Sequence, residues 1–176
     1  MASGAKLDLR RFQKELADRL AAKTTAQVEQ SRLGLDCAGQ HWLVRLGDAG
    51  EVMPVPDVAP VPLTKPWYRG IANIRGNLYS VIDFAAFLGR PIPVTAATVG
   101  YSRLVLLGAR IAELRAGLIV QRVMGLRNLS DLSRETSPEG QPAWCGTSWR
   151  DAQGGRWQEL DLVKLAEDPA FLRVGM

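Results

Sequence analysis

Histidine occurs once in this chain and cysteine twice. No uninterrupted apolar run approaches the ~20 residues that a membrane-spanning helix requires. Each shortage excludes something. His41, Cys37, Cys145 and scattered carboxylates make a poor ligand set for a metal ion. The two cysteines lie far apart and in no C-x-x-C pair, which argues against a disulfide framework and a zinc signature. None of G-x-S-x-G, H-E-x-x-H, G-x-x-x-x-G-K-[ST] or G-x-G-x-x-G is present, so the common hydrolase, metalloprotease, P-loop and dinucleotide chemistries lack their motifs. The opening MASGAKLDLRRFQKEL has no apolar h-region and does not read as a secretory signal. The expectation is a soluble cytoplasmic protein, without cofactor and without catalysis.

What is present suits a folded chain. Its 176 residues are 47% hydrophobic and 23% charged, enough for a sizeable core and too apolar for wholesale disorder. Lys and Arg number 22 against 18 Asp and Glu, a net charge of +4. That excess is mild. A protein built mainly to neutralise phosphates carries a denser basic stripe.

Residues 7–23 place Leu9, Phe12, Leu16 and Leu20 at helical spacing, with charged residues on the opposite surface. Residues 1–32 are thus expected to form an amphipathic helix and linker, and residues 33–176 a separate domain. From Leu33 onward the pattern changes to short alternating segments punctuated by Gly and Pro. In GQHWLVRLG, Trp42, Val44 and Leu46 alternate with His41, Leu43 and Arg45, which predicts a half-buried strand. EVMPVPDVAPVPLTKPWYRG holds Pro54, Pro56, Pro60, Pro62 and Pro66, so it reads as an extended edge segment and surface loop. LYSVID, RLVLL and ELRAGLIVQRVMGL are further strands, FAAFLG is a short helix, and RNLSDLSRETSPEGQP is a polar loop. WCGTSWRDAQGGRWQELDLVKLAE supplies two more strands and a helix. Many short strands with few helices indicate an all-β barrel or sandwich. Trp67, Gly70, Gly76, Leu78 and Asp83 are echoed by Trp144, Gly146, Gly155, Trp157 and Asp161, a weak internal repeat suggesting two related barrels.

Among chemistry-bearing residues, Asp83 and Asp161 read as turn caps, since their matched places in the repeat suit scaffolding better than an acid/base pair. Cys37 and Cys145 read as small buried thiols. Trp42 and Trp157 fall on strand faces, whereas Trp67, Trp144 and Trp149 sit beside glycines and loops where partial exposure is expected. Val58–Ile82 stands out: it carries Lys65, Arg69 and Arg75 and no acidic residue. Arginine and aromatics on a proline-stiffened loop suit a protein-docking patch, with Trp67 and Tyr68 as anchors. An ordinary barrel loop with solvated charges fits the composition equally well.

PVPLTKPWYRGIANIRGNLYSVIDFAAFLG resembles the signature of CheW-like domains through Pro62, Pro66, Gly70, Asn73, Ile74, Arg75, Gly76, Val81, Asp83, Phe84, Leu88 and Gly89. GLIVQRVMGL resembles that family's later strand through Gly117, Val120, Val123 and Gly125. The N-terminal helix and divergent sequence look more like the PilI-type members, which serve pilus-controlling chemosensory systems. The resemblance implies two packed five-stranded SH3-like barrels after an N-terminal α-helix. It also implies a non-enzymatic adaptor between a chemoreceptor's cytoplasmic tip and a CheA-type histidine kinase in a pathway for type IV pili and twitching motility. By position it assigns Asn73, Ile74, Arg75 and Gly76 to the element near the receptor groove, and Val58 and Val61 to the strand lining it. Lys65 and Arg69 are added as neighbouring cations. The chain departs from the pattern at Pro60, where a glutamate is usual, at Gln121, where many members have aspartate, and in the divergent TSWRDAQGGRW. The proline should leave its edge bent or unpaired. Two other readings stand beside the adaptor: a basic small barrel binding RNA or single-stranded DNA through Trp67, Tyr68, Lys65, Arg69 and Arg75, and a hydrolase using Asp83 or Asp161.

Overall fold

Alternating apolar residues in short segments require sheets that bury at least one face. The computed structural model, which describes residues 29–92, 100–111 and 113–176, contains two such sheets. The amphipathic segment 7–23 lies outside the described residues. The strands are β1 (Ser31–Cys37), β2 (Gln40–Arg45), β3 (Ala49–Pro54), β4 (Tyr68–Ile74), β5 (Asn77–Asp83) and β6 (Arg103–Leu107). They continue with β7 (Ala116–Val120), β8 (Arg122–Asn128), β9 (Ser133–Glu135), β10 (Cys145–Arg150) and β11 (Arg156–Leu160). Among the described residues, short helices follow strands or one another at α1 (Phe84–Phe87), α2 (Leu162–Glu167) and α3 (Pro169–Leu172). β1 begins at Ser31, so Ser31 and Arg32 belong to the sheet and not to the segment before it.

One sheet runs β3-β6-β7-β5-β4 and the other β8-β1-β2-β11-β10-β9. Both wrap toward closure. β8 and β9 are halves of one bent strand, joined through a 3₁₀ turn at Leu129–Asp131; β8 pairs with β1 and β9 with β10. The six-stranded sheet is therefore the expected five-stranded barrel with one strand folded across its seam. In the other sheet the chain leaving β3 reaches β4, where Ala59 and Ile71 exchange both backbone hydrogen bonds at 2.8 and 2.9 Å. The polar stretch read as a loop thus contains β9, and the proline-rich stretch contains β3 at a sheet edge. Proline tolerates an edge because no partner there needs its missing N–H.

The weak repeat is structural. β1 and β2 join the first barrel and β3–β5 the second; β6 and β7 then complete the second, and β8–β11 return to the first. In each barrel a hairpin lies parallel to a strand from the other half of the chain, β2 beside β11 and β5 beside β7. Asp83 N–H donates to the Trp67 carbonyl at 2.8 Å, and Asp161 N–H to the Trp144 carbonyl at 2.9 Å. The Asp83 carboxylate accepts from Ala86 N–H; that of Asp161 accepts from Val163 and Lys164. Both aspartates are helix N-caps, as their repeat positions suggest.

The main core lies between the barrels. Val105, Leu107, Leu118, Val120 and Ile82 come to it from the second barrel, and Leu33, Leu35, Cys37, Trp42, Val44 and Leu160 from the first. The opposite faces of the same strands supply Val81, Leu104 and Leu106, which with Ala72 and Ile74 fill the second barrel. β2 is accordingly buried on both faces, with Leu43 as inaccessible as Val44, and not half-buried as its alternation predicts. Polar pattern read from one strand misses a face that a second layer covers. Trp67 and Trp144 are likewise buried, at 9% and 6% exposure, contrary to the expectation from their glycine-rich surroundings. Trp67 stacks on Phe171 with ring centroids 6.1 Å apart, and Trp144 packs against Phe84 and Phe87. Trp149 is partly exposed, as expected.

Removing the Asp161 cap frees two N–H groups at the start of α2. Asp161→Ala should lower unfolding free energy by about 1 kcal/mol without changing the native circular dichroism spectrum. A urea titration measures it; unchanged stability would show that solvent serves those donors equally well.

Candidate functional site

The segment singled out in the sequence builds one corner of the second barrel. Pairing of Ile74 with Asn77 leaves Arg75 and Gly76 as a two-residue hairpin loop, both at positive φ, 51° and 82°. Two successive left-handed residues give a type I′ turn, whose twist matches the flanking strands. Glycine takes that conformation freely, whereas Arg75 holds it at some steric cost. The Asn73 side-chain oxygen accepts from Gly76 N–H at 2.9 Å and fixes the turn from below.

The turn aims Arg75 into solvent, with 75% of its side chain exposed. Its guanidinium donates to Glu51 Oε1 at 2.7 Å. Glu51, on edge strand β3, is absent from the sequence assignment, because only barrel closure brings it beside the β4–β5 turn. An exposed pair of this kind contributes ~0–1 kcal/mol, so a partner's carboxylate can replace Glu51 at little cost. Leu78 was also missed. It pairs across the hairpin with Asn73 and remains 62% exposed, an apolar residue beside the arginine. Its place two residues before Ser80 on the outward face was the available signal.

Beside this turn, the connector from β3 crosses the outer edge of β4. Ala59 forms its single bridge to β4, and Pro60 cannot extend the ladder. The edge is therefore paired once and then diverges, as the proline predicts. Gly70 makes the crossing possible: it has φ of 132°, and a Cβ there would lie 2.0 Å from the Ala59 carbonyl oxygen. Val58 and Val61 flank the bridge and are half-buried, Val58 packing partly against the second barrel's interior. Lys65 is half-buried with its ammonium 5.7 Å from the Trp67 ring centroid, and Arg69 is exposed on β4. Asn73, Arg75, Gly76 and Arg69 thus face solvent, whereas Ile74 points inward at 6% exposure and braces the turn instead of offering contact area. Trp67 is buried too. It cannot serve as the anchor or base-stacking platform that its surroundings suggest; Tyr68, hydrogen-bonded to Ser80, is partly exposed.

The remaining candidates have structural surroundings. His41 lies against the Trp157 ring with centroids 4.6 Å apart. Burial, with the nearby Asp83 and Asp36 charges, pushes the Cys37 thiol up to about 12, and burial alone pushes Cys145 up to about 11. Gln121 Oε1 accepts from Ala38 N–H at 2.6 Å, closing the turn between β1 and β2 where Ala38 has φ of 57°. This position requires an acceptor, and glutamine supplies one without charge. Inside the first barrel, Arg32 Nε donates to Glu159 Oε1 at 3.2 Å, while Glu159 Oε2 accepts from Thr147 N–H.

Two swapped barrels with a Gly-crossed edge and an N-I-R-G turn point to one family, and a profile of the CheW-like domain matches residues 32–170. The chain belongs to the CheW-like family. Members are scaffold and adaptor proteins, not enzymes. The chain is 30% identical to protein PilI of Pseudomonas aeruginosa over 167 residues, covering 90% of this chain and 89% of that one. It is 25% identical over 120 residues to a probable chemotaxis protein CheW of Rhizobium etli, covering 68% and 74% respectively. The crystal structure of scaffolding protein TtCheW from Thermoanaerobacter tengcongensis superposes with a TM-score of 0.67 at 17% identity, covering 83% of this chain and 97% of that one. That likeness supports the fold.

Any side chain at position 70 must displace the connector or twist β4. Gly70→Ala should destabilise the protein by ~3 kcal/mol, read from chemical unfolding, with the largest amide shifts at Ala59 and Ile71. A loss below ~0.5 kcal/mol would show that the crossing relaxes freely. The thiols give a second check. An elevated pKa keeps each sulfur protonated, so at pH 8 roughly one Cys145 in a thousand is thiolate. Alkylation by iodoacetamide should be far slower than for free cysteine and should rise with pH up to about 11; a fast reaction at pH 8 would contradict the environment described.

Proposed function

We propose that this CheW-like protein couples the cytoplasmic tip of a chemoreceptor to a CheA-type histidine kinase without catalysing a reaction, in a cytoplasmic chemosensory pathway that controls type IV pili and twitching motility. The observation that carries the receptor side is the rigid corner made by the Arg75–Gly76 turn and the Gly70 crossing. It holds Arg75, Asn73 and Arg69 outward beside exposed Leu78, with Val58 and Val61 along the adjoining edge. A preformed, partly apolar surface with one releasable arginine suits a helical hairpin that brings an apolar stripe and acidic rim residues. The CheA-type kinase docks barrel to barrel, a contact between sheet proteins that needs no cleft. The pilus pathway is supported by the PilI relative, which aligns over 90% of this chain. The domain begins at Ser31, where β1 opens, and extends through residue 176 in this reading. Among the described residues no helix is long and apolar enough to cross a membrane.

Charge reversal at the turn separates docking from folding. Arg75→Glu removes a contact worth ~0–1 kcal/mol to the fold and places like charge against Glu51 and an acidic rim. Its melting temperature should stay within a few degrees of the parent, while capture of chemoreceptor cytoplasmic fragments falls about tenfold or more and kinase capture is retained. Undiminished receptor capture would remove Arg75 from the interface. Loss of both partners together would assign the corner to the kinase side or to assembly.

A further inference from the structure

Two backbone irregularities converge on one exposed ion pair. Arg75 holds its positive φ of 51° in the β4–β5 turn. On β3, Ala49 pairs with Leu107 and Val52 with Val105, so that strand carries one extra residue and Gly50 and Glu51 form a bulge. Bulges re-aim side chains, and this one brings Glu51 Oε1 to 2.7 Å from the Arg75 guanidinium. Gly50 keeps the bulge tight, since a Cβ there would lie 3.1 Å from the Leu106 and Leu107 carbonyl oxygens.

Stability does not account for this convergence. With side chains 75% and 38% exposed, the pair adds little to folding. A non-glycine residue at positive φ meanwhile carries a cost. What the pair does change is the availability of the guanidinium. Arg115, another cation beside the turn, donates to Asn77 Oδ1 at 3.0 Å and leaves Glu51 to Arg75. Glu51 belongs to the same molecule, so it meets Arg75 at an effective concentration that a dissolved carboxylate or phosphate does not match.

We propose that Glu51 is a built-in competitor for Arg75, which makes this corner selective for a partner that brings its carboxylate on a fitted surface. Such a partner exchanges one carboxylate for another and gains contact with Leu78, 62% exposed, and with the Val58–Val61 edge. A diffuse polyanion such as a single-stranded nucleic acid gains no such surface and must still displace Glu51. Specificity is set here by disfavouring the wrong partner. The fitted partner is the acidic-rimmed helical hairpin of the receptor-docking reading, on which this identification rests; the exclusion of polyanions follows from the ion pair alone.

The test titrates the full chain into two fluorescently labelled probes at low salt: the cytoplasmic-tip hairpin of a chemoreceptor from the same organism, and single-stranded oligothymidylate. Glu51→Gln should tighten binding of both about fivefold, and the gain should vanish when Arg75→Gln is added. Glu139→Gln removes the same charge from an exposed loop and should change neither. Equal tightening by Glu51→Gln and Glu139→Gln would reduce the effect to net charge and overturn the proposal, as would unchanged binding of both probes. Hairpin binding that falls with Arg75→Gln but ignores Glu51→Gln would overturn the competitor and keep the docking reading. Oligothymidylate binding that tightens with Glu51→Gln while hairpin binding ignores Arg75→Gln would keep the competitor and take the receptor out of this corner.

Discussion

The structure depends on one layer of apolar side chains that belongs to both barrels at once. A five-stranded barrel of about 60 residues has a small interior and is marginally stable on its own. Here the outward faces of β1, β2 and β11 meet those of β5, β6 and β7, and the residues between them form the larger of the two clusters. Each fully buried aliphatic side chain there contributes ~1.5–3 kcal/mol, and the strands carrying them come from both halves of the sequence. Since each half supplies two strands to one barrel and three to the other, neither barrel closes before the other half is in place. The exchange of strands is what makes the shared layer continuous.

That arrangement leaves the two barrel interiors free to differ. The second is filled by Ala72, Ile74, Val81, Leu104 and Leu106, entirely apolar. The first places Arg32 against Glu159 within a network that uses the backbone of Glu29, Ser31 and Thr147. A buried pair contributes little net stability over an apolar pair, but losing one member strands the other's charge, so the pair ties β1 to β11 across intervening β2 more than it adds stability. The apolar interior sits under the Arg75 turn. An exposed, steeply curved hairpin keeps its shape only if the layer beneath it does not repack, and Ile74 and Ala72 are part of that layer.

Much of this was legible in residue order, and the reasons differ from element to element. Asp83 and Asp161 were readable as caps because a cap depends on local chain geometry, two or three residues ahead. The edge character of Val58–Val61 was readable because proline's missing N–H is a local fact. Trp67 and Trp144 were misjudged because nearby glycines predict turns, whereas burial depends on Phe171, Phe87 and Phe84 arriving from elsewhere. The double burial of β2 was hidden for the same reason: Leu43 looks like a lapse in alternation until a second layer covers it. Within the corner proposed for docking, N-I-R-G marked the turn, but Glu51 and the inward aim of Ile74 follow from barrel closure. Spacing along one strand carries no information about which edge will meet it.

The repeat explains why one hairpin holds an arginine out on a bare turn and its counterpart closes on itself. The β10–β11 turn occupies in the first barrel the place that Arg75 and Gly76 occupy in the second. Its loop is longer, spanning Asp151–Gly155, and Asp151 closes it by accepting from Gln153 and Gly155 N–H and from the Trp157 indole. The Trp157 hydrogen bond, then that from Gly155, holds the Asp151 carboxyl below its ordinary range, so this clasp persists as pH falls until Asp151 itself is protonated. The arginines at either side, Arg150 and Arg156, both meet Glu135 on the folded-over strand β9. Arg150, Arg156 and Asp151 all have partners within the same barrel. At the equivalent end of the second barrel no described strand folds across, Glu51 is the acidic partner of Arg75, and the connector meets β4 through a single bridge. The same scaffold therefore sets Arg75 on a bare two-residue turn, whereas Arg150 and Arg156 share one carboxylate on the folded-over strand, a difference set by where each barrel closes its seam.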